Sequence, residues 1–196
     1  MTGGRRLSQA ISEGDGISII AAVADPAAAR AAEEQGAEGL ALRAPSPGIR
    51  DATTLPILFR VDASPEDARN AGADACLIVI EKHDEEDNLE DLHARASKLG
   101  LEIVADVHDD ESLTDSLERI DPEIFLLSPR DAEDDEDDIE RILDLLPDVP
   151  AGKLAIADLQ AATRDDVIAL ERAGVDAVLV DNAKIAHLVG GAPPEV

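Results

Sequence analysis

Three near-repeats decide what this chain can become: GAEGLAL at residues 36–42, GADACLIVI at 72–80 and GVDAVLV at 174–180. Each is a helix-ending glycine, a short turn and an apolar run of strand length. The fullest unit is 17–42, ISIIAAVADPAAARAAEEQGAEGLAL, which reads as a strand, a helix and a strand with almost no loop. Asp25 can cap that helix, Pro26 suits its first position and Gly36 ends it. Strands that are apolar on both faces belong to parallel sheets covered by helices.

The unit recurs along the chain. Strands are expected at about 17–24, 36–42, 55–61, 73–80, 101–107, 122–128, 153–158 and 175–180. Between them lie expected helices at 64–72 with Ser64 as cap, at 84–99, at 109–120, through Ile139, Ile142, Leu143 and Leu146, at 163–174 and at about 182–189. In the 84–99 helix, Leu89, Leu92, Ala96 and Leu99 fall on one face. APSPGIRDATT at 44–54 reads as a loop. Residues 1–16 read as an N-terminal arm and 17–196 as one domain. Eight strands alternating with helices predict an α/β fold, a (β/α)8 TIM barrel of minimal, slightly truncated length. A doubly wound open sheet is the alternative, but it has fewer strands and a glycine-rich phosphate loop that is missing here.

Composition narrows the function. The net charge of −27 repels phosphate backbones and anionic membranes, so neither nucleic acid nor membrane is an expected partner. There is no Trp or Tyr to stack on a base, and Phe59 and Phe125 are the two aromatic residues. Acid-rich, Lys-poor usage fits a high-salt habitat or an ordinary acidic cytosolic protein. A single cysteine, Cys76, in the apolar run ACLIVI reads as a core thiol in a cytoplasmic protein. The histidines at 83, 93, 108 and 187 lack ligand spacing, and DAEDDEDD at 131–138 reads as a solvated helix start rather than a calcium loop.

Several stretches carry a resemblance: LPIL before the third helix, AGADACLIVI, LGLEIVADVHDDESL, the Arg-Asp after strand six, LAIADLQAATRDDV and AGVDAVLVDNA. Together with ISIIAAV and DPAAARAAEEQGAEGLAL they resemble indole-3-glycerol-phosphate synthase, the tryptophan-pathway barrel, over about residues 17–185. LEIVADVHDDESL is the most specific of them. The resemblance implies a carboxylated anilino sugar phosphate as substrate, a Lys general acid and Glu partners, with no cofactor and no metal.

Carried over residue by residue, the implied strand-one Glu falls on Ala22 and the strand-one Lys on Ala24, and the loop between them and the first helix is missing. The strand-three Lys falls on Arg60, the strand-five Glu on Asp106, the strand-six Asn on Ser128 and the strand-seven Glu on Asp158, while Arg130 is retained. The implied phosphate cradle falls on Leu159-Gln160 and Asp181, and a carboxylate at Asp181 opposes a phosphate.

Ala22, Arg60, Asp106 and Asp158 all lie on odd strands and are expected in one inward tier at the mouth. Arg60 between two carboxylates reads equally as a buried ion-pair network or as a substrate-binding group. The expected catalytic set, if a carbon–carbon lyase operates, is Arg60, Asp106, Ser128, Arg130 and Asp158. A cation gathered by Asp106, Asp158 and Asp181 is a weaker alternative. The sequence thus predicts a family barrel whose ordinary reaction is impaired or lost. Its expected partner is a small anionic substrate or another tryptophan-pathway protein.

Overall fold

The computed structural model describes residues 6–14, 16–61, 63–80, 89–129, 138–159 and 163–181, with 183, 185 and 188. Eight parallel strands close into a barrel: β1 Ser18–Val23, β2 Gly39–Leu42, β3 Ile57–Phe59, β4 Ala75–Val79, β5 Glu102–Val107, β6 Ile124–Leu127, β7 Leu154–Asp158 and β8 Ala177–Asp181. They pair in chain order, and β8 closes on β1 through Ser18 opposite Ala177 and Ala22 opposite Asp181. Helices α1 Leu7–Ser12, α2 Pro26–Glu34, α3 Ile49–Ala52, α4 Pro65–Asn70, α5 Leu89–Leu99, α6 Asp110–Arg119, α7 Asp138–Leu145 and α8 Arg164–Ala173, with a 3-10 turn at Leu146–Asp148, complete the described elements.

Alternation along each strand produces two cores. Ile20, Leu58, Leu77, Val104, Ile156 and Leu179 face the barrel interior with their neighbours in one buried cluster. The intervening residues, including Ile19, Ala21, Ile57 and Val178, pack outward under the helices in a second, larger cluster. Phe59 and Phe125 both belong to the outer layer, so the interior is filled by aliphatic side chains alone. Cys76 is buried in that outer layer, and burial pushes its thiol up to about 12. That is an inert core thiol rather than a nucleophile.

Local chemistry explains where helices start. Asp25 accepts hydrogen bonds from the Ala27 and Ala28 amides at 2.8 Å each, with Pro26 in the first turn of α2. Ser64 caps α4 through the Asp67 amide, while Asp109 and Thr163 form capping boxes on α6 and α8. The near-repeats have a physical role at the other end of the strands. Asp74 Oδ2 accepts the Ile57 amide at 2.9 Å, and Asp176 Oδ2 accepts the Ala155 amide at 2.8 Å. In both cases the carboxylate ahead of a strand satisfies an amide at the start of the preceding strand, the first of β3 and the second of β7. Gly174, in the left-handed region at φ 102, lets the chain reverse from α8 into this arrangement.

The 44–54 loop contains a helical turn that the sequence reading left out. Gly48 adopts φ 81 ahead of α3, and Ile49 is 1% exposed, so one apolar side chain anchors the segment to the outer core. Arg50 binds the Thr53 and Leu55 carbonyls and Asp74 Oδ2, which ties the short connection to the floor of β3 and β4. The 84–99 helix is described from Leu89, with Leu89 and Ala96 fully buried.

The polar N-terminal segment is built into the barrel. Leu7 is fully buried and Ile11 is 4% exposed, and both join the interior cluster. Glu102, at the start of β5, accepts the Leu7 amide at 2.6 Å and the Ser8 hydroxyl, and Arg6 lies 3.2 Å from the same carboxylate. Helix α1 therefore closes the floor around the Glu102 carboxylate, and Asp106, Ser128 and Asp158 make the opposite, C-terminal end of the barrel polar.

A charged mouth and its candidate site

Strand register places the polar residues. Ala22 pairs with Ala41, Ala41 with Leu58, Leu58 with Ala75 and Ala75 with Glu102. Tilt in an eight-stranded barrel advances the level tier by about one residue per strand. Arg60 and Asp106 therefore share the tier of Ala22. Asp106 pairs with Leu126 and Leu126 with Ile156, so Asp158 joins the same tier. The four odd-strand positions meet at the C-terminal mouth as the pattern predicts.

Within that tier the charges are engaged. The Arg60 guanidinium reaches across the mouth to the Asp158 carboxylate, with 14% of the Arg60 side chain and 10% of the Asp158 side chain exposed. The Ser128 hydroxyl donates to Asp106 Oδ1, and Asp106 is 3% and Ser128 6% exposed. Two buried carboxylates thus have two different partners, a cation and a hydroxyl. Arg130, Gln160, His83 and His187 lie outside the described residues, as do residues 131–137 of the acidic run. His108 sits just past β5, its Nε2 3.2 Å from Asp109 Oδ2, beside the α6 cap. Among the described residues no group of three metal-ligating side chains is placed to hold an ion, and Asp158 faces Arg60 rather than Asp106.

Above the tier lies an open cavity of about 530 Å³. Its charged walls are Arg43, Arg60, Asp158 and Asp181; Ala22, Ala24, Ala41 and Ala44 supply a small-residue side, and Leu159 and Leu179 an apolar one. Asp106 is not part of the wall. Leu159 is 4% exposed and packs into the outer core, leaving the mouth open. Arg43 is the residue the sequence reading passed over. The available signal was a charged side chain directly after an apolar barrel strand, the position where this fold keeps its functional groups.

A closed parallel barrel with a charged, open C-terminal mouth defines a (β/α)8 protein. Solved structures agree on the fold: the N-acetylmannosamine-6-phosphate 2-epimerase from Clostridium perfringens superposes with a TM-score of 0.73 at 14% identity, covering 95% of this chain and 93% of that one. A mandelate oxidase carrying an FMN adduct gives 0.64 at 16% identity, covering 89% and 67%.

The family model for indole-3-glycerol phosphate synthase matches residues 57–187. The synthase of Variovorax paradoxus is 36% identical over 138 residues, 68% of this chain and 51% of its own length. That of Acidithiobacillus ferrooxidans is 33% identical over 138 residues, 68% and 52%. The chain belongs to the indole-3-glycerol phosphate synthase family. It spans about half the length of the curated relatives it matches. The family match starts at β3, so Ala22, Ala24 and Arg43 precede it and their correspondence to family positions rests on the barrel order.

Proposed function

We propose that this protein is a family barrel in which the ring-closing decarboxylation is impaired or lost, and which acts as a non-catalytic binding protein of the tryptophan pathway. The observation that carries this reading is the Arg60–Asp158 pair. That reaction, as the family resemblance implies it, needs a cation that also gives up a proton. A guanidinium holds its proton up to a pKa above about 12, so Arg60 can bind an anion but is a poor acid. Ala22 and Ala24 offer methyl groups in place of the implied Glu and Lys, and the two lysines among the described residues, Lys98 and Lys153, lie on α5 and ahead of β7, away from the cavity wall, while Lys82 and Lys184 lie outside the described residues. Asp25 starts α2 at once, which leaves no room for the implied substrate loop.

Indole fluorescence from the carboxylated anilino sugar phosphate tests this. The purified chain is expected to give no product above background, and turnover at ordinary enzyme rates would refute the reading.

The open cavity favours a second reading, an active carboxy-lyase of the family or a relative working on another small substrate, with Arg60 and Asp158 on the cavity wall and Asp106, Ser128 and Arg130 as the other members of the expected set. It requires Asp158→Ala to abolish an activity while the barrel stays folded. Equal loss of folding and activity fits the structural ion pair instead. Another tryptophan-pathway protein, docking on the acidic surface, is the macromolecular partner this reading expects. Its association would weaken with added salt.

A further inference from the structure

Among the described residues the mouth carries two charges that its buried pairs leave over. Arg43 follows β2 and Asp181 ends β8, the two strands that flank β1. Both line the cavity and both are exposed. Asp181 Oδ1 accepts the Ala183 amide at 3.1 Å, and among the described residues neither Arg43 nor Asp181 has an ionic partner.

Between them stands the end of β1, where Ala22 and Ala24 present only methyl groups to the cavity. Strands two apart in a sheet are separated by about 10 Å of backbone. Arg43 and Asp181 thus stand on either side of the end of β1. The rest of the described wall includes the apolar Leu159 and Leu179 and the Arg60–Asp158 pair.

Among the described residues the four ionic side chains of the wall, two Arg and two Asp, sum to zero. In a chain of net charge −27, a dianion gains little from such a cavity, whereas a molecule carrying one charge of each sign matches it. We propose that the mouth binds a small zwitterion with an apolar side chain, an α-amino acid, its carboxylate on Arg43 and its ammonium on Asp181. The volume suits a ligand of that size. This binding does not depend on the ring-closing reaction being absent, because fluorescence turnover and calorimetric binding are separate readouts.

Titration calorimetry on the full chain with L-leucine and L-phenylalanine tests it. The comparison ligands are 4-methylpentanoate, which lacks the ammonium, and 3-methylbutylamine, which lacks the carboxylate. Saturable binding of at least one amino acid is expected, with both leucine fragments weaker by about tenfold or more. Arg43→Gln and Asp181→Asn, each checked for unchanged thermal unfolding, are expected to weaken the amino acid by a similar factor. No saturable heat from either amino acid up to about 10 mM overturns the proposal. So does binding of 4-methylpentanoate as tight as leucine, or retention of full affinity by both variants.

Discussion

Arg60 and Asp158 form an ion pair although their strands, β3 and β7, stand on opposite sides of the eight-strand ring. A long guanidinium side chain spans the mouth and joins two strands that share no backbone hydrogen bond. Asp158 is 8% exposed, so its charge has little access to solvent without that partner.

Arg60→Ala is expected to cost about 3–5 kcal/mol, since it strands a buried carboxylate. The double variant Arg60→Met/Asp158→Leu is expected to recover most of that loss, because a buried pair replaced by apolar groups is often neutral or better. Urea unfolding of the full double-mutant cycle measures the coupling. Additive losses would show that the pair contributes no specific coupling.

Leu7→Ala is expected to destabilise the barrel by about 2–5 kcal/mol, the range for a fully buried leucine. Its side chain belongs to the interior cluster rather than to a dispensable arm. A change below about 0.5 kcal/mol in chemical denaturation would return residues 6–14 to the status of a loose extension.

Two carboxyls give opposite pH signatures. Hydrogen bonds from Thr54 and Thr53 hold Glu33 below the usual carboxylate range against a smaller opposing effect of burial. Its stabilisation is present above the unfolded pKa of about 4.3 and is lost as pH falls through the lowered folded value. Glu33→Gln should therefore be less stable than the parent at pH 7, with the gap closing in acid. Burial pushes Asp176 up, with the Ala155 amide opposing. Its contribution is greatest below the unfolded pKa of about 3.9 and is lost as pH rises through the folded value. Asp176→Asn, whose amide oxygen can still accept the Ala155 amide, is expected to match or exceed the parent at pH 7 and to lose that advantage in acid. Stability curves against pH for the two variants read both signs.

Acidic self-repulsion at net charge −27 predicts a salt response. The unfolding midpoint is expected to rise between about 0.1 M and 2 M salt as the Debye length shrinks from about 10 Å to below 3 Å. A flat or falling midpoint would remove the high-salt habitat reading.

The architecture was legible because its signals are local. Glycine-ended helices, caps at Asp25 and Ser64, and uniformly apolar strands each read from a few adjacent residues. Counting those units to eight was enough for a closed barrel. The tier of Ala22, Arg60, Asp106 and Asp158 was legible for the same reason, since strand parity fixes which side chains face inward. Partner choice was not. Nothing in the spacing says that Arg60 selects Asp158, on a strand far along the chain, while Asp106 takes Ser128 at the end of the neighbouring strand. Helix α3 escaped because a single buried side chain, Ile49, holds a turn too short to show periodicity. Leu7 escaped because its buried neighbours lie on strands that come later in the chain.

The closed floor has a practical consequence for handling the molecule. With Arg6 and Leu7 anchored to Glu102 at the N-terminal rim of β5, a label attached at Arg6, whose side chain is 64% exposed, sits on the face away from Arg43 and Asp181. Immobilisation through that position turns the mouth toward bulk solvent, so surface-based binding measurements sample it facing away from the support.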